Sequence, residues 1–186
     1  YLIKKSGDEL SGYYLGKPDE IINIYSLAKQ KGKKILILGV TYALLEMAKF
    51  TPDLNESIIM ETGGMKGRGK ELIREELHQH LCKAFNVSSI HSDYGMTELM
   101  SLAFSFISGQ FHTSISMAVL IRDINDPFSY VSNGKTGGIN IIDLANITTC
   151  SFIETKDLGR NLENDYFEIL GRFDNSDLRG CNLLLV

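Results

Sequence analysis

Tyr94-Gly95-Met96-Thr97-Glu98 puts an aromatic face, a residue without a side chain, a hydroxyl and a carboxylate into one short turn. Those groups could stack a purine, let backbone approach it, bond a phosphate oxygen and hold a magnesium ion. Few core segments need residue types in that order, so the run points to an ATP site. Further along, Thr155-Lys156-Asp157-Leu158-Gly159 ends a run of strand formers. Its local sequence fits an Asp-led turn and equally a carboxylate that accepts hydrogen bonds from two ribose hydroxyls. Gly171-Arg172-Phe173-Asp174 leads to Arg179-Gly180-Cys181. That stretch reads either as a polar tail or as a thiol whose neighbouring cation favours the thiolate, a good acyl acceptor.

Other candidates carry less. Gly64-Met65-Lys66-Gly67-Arg68-Gly69-Lys70 nearly matches a phosphate-binding loop, but Glu71 stands where a Ser or Thr should meet magnesium, and a carboxylate there repels phosphate. The better reading is that Gly63 and Gly64, lacking side chains, let backbone press against a flat base. Glu75, Glu76, His78 and His80 do not make a metal cluster, because histidines two apart on a helix do not share a face. His91 and His112 are isolated and read first as core or loop histidines.

Positioning such groups calls for strands that end at the ligand. Asp19 to Gln30 reads as a helix opened by Pro18 and an acidic residue and closed by Gly32. Lys33 to Val40 reads as a buried strand, Tyr42 to Phe50 as a second helix, and Ile58 to Glu61 as a strand running into Thr62-Gly63-Gly64. A charged helix follows from about Lys70 to Phe85, then a strand from Val87 to His91 that delivers Tyr94 to a loop. This alternation predicts an α/β fold with a parallel sheet and crossover helices, whose ligands bind beyond the carboxyl ends of the strands. After about Gly109 the character changes. Met117 to Arg122, Gly138 to Asp143, Thr148 to Ile153 and Tyr166 to Leu170 are strand-like, which predicts a mostly antiparallel β region. The expected organisation is an α/β nucleotide-binding subdomain over 1–110, a β-rich subdomain over 111–172, and a tail over 173–186 carrying Cys181.

Composition narrows the partners. With 186 residues, 44% hydrophobic and 23% charged, the chain can bury a domain core. A net charge of -4 and a pI of about 5.6 argue against nucleic acid and anionic membrane as partners. No apolar run approaches the roughly 20 residues that span a bilayer, so no integral membrane segment is expected. The 3 cysteines are widely spaced and lack Cys-x-x-Cys pairing, which fits a cytoplasmic protein. The opening Tyr1-Leu2-Ile3-Lys4-Lys5 reads as chain already in progress.

Taken in order, Tyr94 to Glu98, Gly134-Lys135-Thr136-Gly137-Gly138, Thr155 to Gly159 and Gly171 to Asp174 resemble successive motifs of the adenylate-forming superfamily of acyl-CoA synthetases and luciferases. Within it, Phe111-His112, Met117 to Phe128 and the terminal Leu178-Arg179-Gly180-Cys181 are most similar to the acyl-protein synthetases of the LuxE family, in their later half. The resemblance implies part of a large adenylate-forming domain in which Tyr94 stacks on adenine, lined by Gly63, Gly64 and the Asp93 to Gly95 backbone. It implies Thr97 at the α-phosphate, Glu98 on Mg2+, and Asp157 on the ribose with Arg172 assisting. ATP and Mg2+ are the implied cofactors and a fatty acid the implied substrate. Cys181 would take the acyl group before an acceptor protein, a transferase or reductase. The superfamily's Ser/Thr/Gly-rich phosphate loop and mobile lid are absent from this stretch, so the chain alone is expected to be inactive. Two other readings stand beside this one: a phenylacetate-type aryl- or acyl-CoA ligase fragment, and a degenerate nucleotide-binding module without turnover.

Overall fold

The structure, a computed structural model, describes residues 2–63, 74–107 and 109–173. Gly64, the rest of the glycine-rich run and Cys181 lie outside them. The chain divides into two compact units, the first ending at Ile90 and the second beginning its main run at His91. The composition, by contrast, changes near Gly109.

The first unit holds helices α1 (Leu2–Ser6), α2 (Pro18–Gln30), α3 (Thr41–Ala48) and α4 (Arg74–Phe85), with strands β1 (Ile35–Val40) and β2 (Ser57–Thr62). Pro18 starts α2 because its missing N–H would be unsatisfied there anyway, and Asp19 and Glu20 in the first turn suit the helix dipole. β1 and β2 pair in parallel, Ile35 with Ser57 through Val40 with Thr62, and α3 is the crossover between them. The inward faces of these elements build one core from Tyr25, Leu44, Met47, Leu54, Ile59, Leu77, Leu81 and Phe85. Leu54 donates its backbone N–H to the Phe85 carbonyl and ties the approach to β2 to the end of α4.

The second unit is β-rich. Its strands are β3 (His91–Tyr94), β4 (Ala103–Ile107), β5 (Gln110–Thr113), β6 (Met117–Arg122), β7 (Gly137–Asp143), β8 (Phe152–Asn161) and β9 (Tyr166–Arg172). They run in the order β3-β4-β5-β9-β8-β7-β6, each antiparallel to its neighbour. Leu99, Ala103, Phe111, Met117, Ile121, Ile139, Ile141 and Phe167 form its core. The α/β class, parallel first and antiparallel after, is therefore as the sequence predicts.

Three local expectations are corrected. The strand expected over Val87 to His91 begins only at His91 and runs to Tyr94, so Tyr94 closes a strand instead of sitting in a loop. The strand expected over Thr148 to Ile153 is β8, Phe152–Asn161; Thr155 to Gly159 is the middle of that strand and not a turn. The strand expected to end at Leu170 runs on through Gly171 and Arg172 as β9. In the last two cases, pairing on both edges of β8 overrides the local preference of Asp and Gly for turns.

Candidate functional site

β3 ends on Tyr94, β8 carries Asp157 in its interior, and β9 ends on Arg172. The antiparallel register sets Asp157 directly opposite Arg172, and the Arg172 Nε lies 3.5 Å from Asp157 Oδ1. From 63 residues away, the Tyr94 hydroxyl donates to Asp157 Oδ2 at 2.8 Å. Three residues singled out from separate segments thus meet at one carboxylate. The Asp157 backbone N–H also donates to Thr155 Oγ1, whose own hydroxyl donates to the Ile139 carbonyl at 2.8 Å. Each carboxylate oxygen has two lone pairs. With one donor on Oδ2 and one cation beside Oδ1, Asp157 keeps acceptor capacity for a diol.

The half-buried Tyr94 ring packs against the second unit's core. Phe111 and Phe167 meet it at 68° and 73°, with centroids 6.3 Å and 6.0 Å away, so neither stacks on it. Burial, then the charge of Asp157 and the bond to it, push the Tyr94 phenol above its ordinary value. A phenol whose pKa is raised by folding stabilises the fold fully below its unfolded pKa of about 10, and that stability is lost as pH rises beyond it. Tyr94→Phe is therefore expected to cost about 1 kcal/mol at pH 8 and to shrink the wild type's extra loss of stability above pH ~10. Urea melts of both proteins at pH 8 and pH ~10.5 check this; parallel pH profiles would refute it.

Thr97 and Glu98 occupy the two central positions of the turn that follows β3. Leu99 donates its N–H to the Met96 carbonyl at 3.1 Å, closing that turn, and both side chains are exposed. Leu99 itself is buried in the second unit's core, which anchors the turn from one side. Leu102 packs over Gly95, in the space a side chain there would fill. Asp93 is half-buried on β3 opposite Phe104. Gly63 follows β2 in the first unit with φ of 64°, the left-handed region that favours glycine.

A buried arginine underlies Asp157. Arg122, 5% exposed at the end of β6, donates to the carbonyls of Ile139 (3.2 Å) and Thr155 (3.0 Å) and to Asn140 Oδ1 at 2.7 Å. It also pairs with Glu154 and lies 5.4 Å from the centroid of the Phe173 ring. The guanidinium fits because Gly138 has no Cβ; an ideal one would sit 2.6 Å from both Nη atoms. The Gly134 to Gly138 run thus has a local reason, since its last glycine makes room for a cation. Sequence reading gave Arg122 no role. The available signal was a lone arginine closing an apolar strand, Met117-Ala118-Val119-Leu120-Ile121, with two glycines at the start of the strand it pairs with.

His112 is exposed with its ring edge-on to Tyr166, on the wall of a cavity of about 600 Å3. Cys82 is half-buried and Cys150 exposed, and both are free thiols. Among the described residues, no group of three or more His, Cys, Asp or Glu side chains could hold a metal ion, and no helix is long and apolar enough to cross a membrane.

The fold is shared with adenylate-forming enzymes. ATP-bound MatB from Rhodopseudomonas palustris superposes with a TM-score of 0.62 at 15% identity, over 83% of this chain and 33% of that one. The luciferase-like enzyme from the mealworm Zophobas morio gives 0.59 at 11% identity, over 86% and 41%. O-succinylbenzoate coenzyme A synthetase (MenE) from Bacillus subtilis gives 0.55 at 18% identity, over 81% and 36%. This chain therefore spans about a third of the length of these structures. No curated protein matches it in sequence. The model of one family, acyl-protein synthetase LuxE, matches residues 15–186, and the chain belongs to that family.

Magnesium usually keeps several waters and takes one or two carboxylates together with substrate phosphates. An exposed carboxylate on a tight turn is compatible with that donor set, and Glu98 is such a group.

Proposed function

We propose that this chain forms the nucleotide-binding part of an ATP-dependent acyl-protein synthetase. The observation that carries the reading is the convergence of Tyr94, Asp157 and Arg172 on one carboxylate. Tyr94 offers its ring to adenine, with the Asp93 to Gly95 backbone beside the base. Asp157 accepts from the ribose hydroxyls, oriented by Tyr94 and Arg172. Thr97 donates to the α-phosphate and Glu98 holds Mg2+, which supplies charge neutralisation when bound. A fatty-acid carboxylate oxygen attacks the α-phosphorus, the bond to the β-phosphate's bridging oxygen breaks, and pyrophosphate leaves with the electron pair. Fixed charges and donors stabilise that charge shift more than any proton transfer does. The Cys181 thiolate then attacks the acyl carbonyl, AMP leaves, and the thioester passes to an acceptor protein of the transferase or reductase kind. A cytoplasmic setting suits free, unpaired thiols.

The second reading is a CoA ligase, favoured by the similarity in fold to MenE. The full-length protein given ATP, Mg2+ and labelled fatty acid tests both. Pyrophosphate release with label held covalently on protein, and that label absent from Cys181→Ala, is the expected result. Label that reaches added CoA with the same yield in Cys181→Ala would establish the ligase reading instead. No pyrophosphate release from any fatty acid would leave a nucleotide-binding module without turnover.

A further inference from the structure

Two buried polar side chains outside the site described so far hold the segment that carries Thr97 and Glu98. Asp143, fully buried at the end of β7, accepts four hydrogen bonds. Its Oδ2 takes the backbone N–H groups of Met100 (2.8 Å) and Ser101 (2.9 Å). Its Oδ1 takes the Ser101 hydroxyl at 2.6 Å and the Ala145 N–H at 3.1 Å. Asn146, 3% exposed in the 3-10 turn Leu144–Asn146, donates its amide to the Glu98 carbonyl at 2.6 Å and to the Cys150 carbonyl at 2.9 Å. The Thr149 hydroxyl in turn donates to Asn146 Oδ1 and fixes which way the amide points.

A local role accounts for only part of this pattern. Capping the 3-10 turn needs the single bond from Ala145, and holding Cys150 needs one amide proton. The other contacts to positions 98, 100 and 101 cross 42 to 48 residues. A carboxylate taken out of water is costly unless its lone pairs are satisfied. Here three of the four donors belong to the segment that follows Glu98: two backbone N–H groups and the Ser101 hydroxyl. An apolar anchor already exists in Leu99; what hydrogen bonds add to it is direction, because each fixes a backbone group in distance and angle.

We propose that Asp143 and Asn146 are positioning residues that orient the Thr97-Glu98 turn toward bound nucleotide and Mg2+. The inference rests on the assignment of Thr97 and Glu98 to phosphate and metal made above. Neither residue touches substrate. Asp143 sets the height and tilt of the chain just after Glu98, and Asn146 sets the Glu98 peptide itself. Misplacing a metal-holding carboxylate by about an ångström weakens the productive geometry without emptying the site.

The test uses the full-length protein with Asn146→Ala and Asp143→Asn as separate variants, the first being the milder. Amide hydrogen exchange is read first, without ligand. Exchange at Met100 and Ser101 is expected to speed up roughly 10- to 100-fold in Asp143→Asn, with β6 to β8 protection retained. Pyrophosphate release is then followed against Mg2+ and against fatty acid. The Mg2+ concentration for half-maximal rate is expected to rise about 10-fold in Asn146→Ala while the fatty-acid KM stays put. Faster exchange with an unchanged Mg2+ requirement in Asn146→Ala would overturn the proposal and leave a folding latch. Unchanged exchange at positions 98 to 101 in both variants would overturn it as well. Failure of the nucleotide assignment shows separately: wild type would release no Mg2+-dependent pyrophosphate, and the proposal would fall with it.

Discussion

Asp157→Ala is expected to weaken nucleotide binding roughly 100- to 10,000-fold, as two charge-assisted hydrogen bonds of about 1.5–3 kcal/mol each are lost. Asp157 is not an ordinary surface acid. Its two oxygens are already oriented by Tyr94 and Arg172, and in the function proposed above that orientation would prepare the remaining lone pairs for the ribose diol. Removing the carboxylate leaves the Tyr94 hydroxyl without its acceptor and Arg172 without its cross-strand partner. A modest stability loss of about 1–3 kcal/mol should therefore accompany the binding defect. Asp157→Asn keeps one carbonyl acceptor and the side-chain volume, so its binding loss should be several-fold smaller than alanine's. Titration calorimetry with ATP on the full-length protein, read beside urea melts, separates the two effects. An alanine variant that binds ATP within threefold of wild type would remove Asp157 from the nucleotide site.

Gly138→Ala is the stability counterpart. A Cβ at this position lands on the Arg122 guanidinium. The far end of an arginine usually moves aside at little cost. This one is pinned by hydrogen bonds to Ile139, Asn140 and Thr155 and is nearly excluded from solvent. Displacing it strands a buried charge, which costs about 3–5 kcal/mol, a large part of the 5–15 kcal/mol typical of whole domains. Because Arg122 donates to the Thr155 carbonyl, the Asp157 segment of β8 should loosen together with β7. Arg122→Leu removes the charge and should cost less in the Gly138→Ala background than in wild type. A double-mutant cycle with a coupling of about 1–3 kcal/mol is the expected signature. Strict additivity would mean that the guanidinium and Gly138 are energetically independent, against the geometry.

Much of the fold can be read from residue pattern because it is local. Pro18 with Asp19 and Glu20 opens α2 wherever the helix is placed, and Ile35-Leu36-Ile37-Leu38 is strand-like in any context. Met117 to Arg122 coincides with β6 residue for residue. β4 and β5 escaped notice because they are short, contain Ser105 and His112, and flank Gly109; antiparallel pairing to each other and to β3 and β9 makes them strands. The order of Tyr94, Thr97, Glu98, Asp157 and Arg172 along the chain was also legible, since residue types and spacing carry the likeness to adenylate-forming enzymes.

What sequence could not supply is which of these groups meet, and on what foundation. Hydrogen bonding between Tyr94 and Asp157 depends on how β3 and β8 are placed, not on either segment's composition. Thr155 to Gly159 looks like a turn in isolation and is a strand only because β7 and β9 pair on either side of it. Asp143 and Arg122 are charged residues that a residue-by-residue reading assigns to the surface. Their burial is tolerable only because the folded chain brings backbone N–H groups to one and carbonyls to the other. Propensity and chemistry reside in the single residue, whereas desolvation and its compensation reside in pairs, and pairs form only in the tertiary structure.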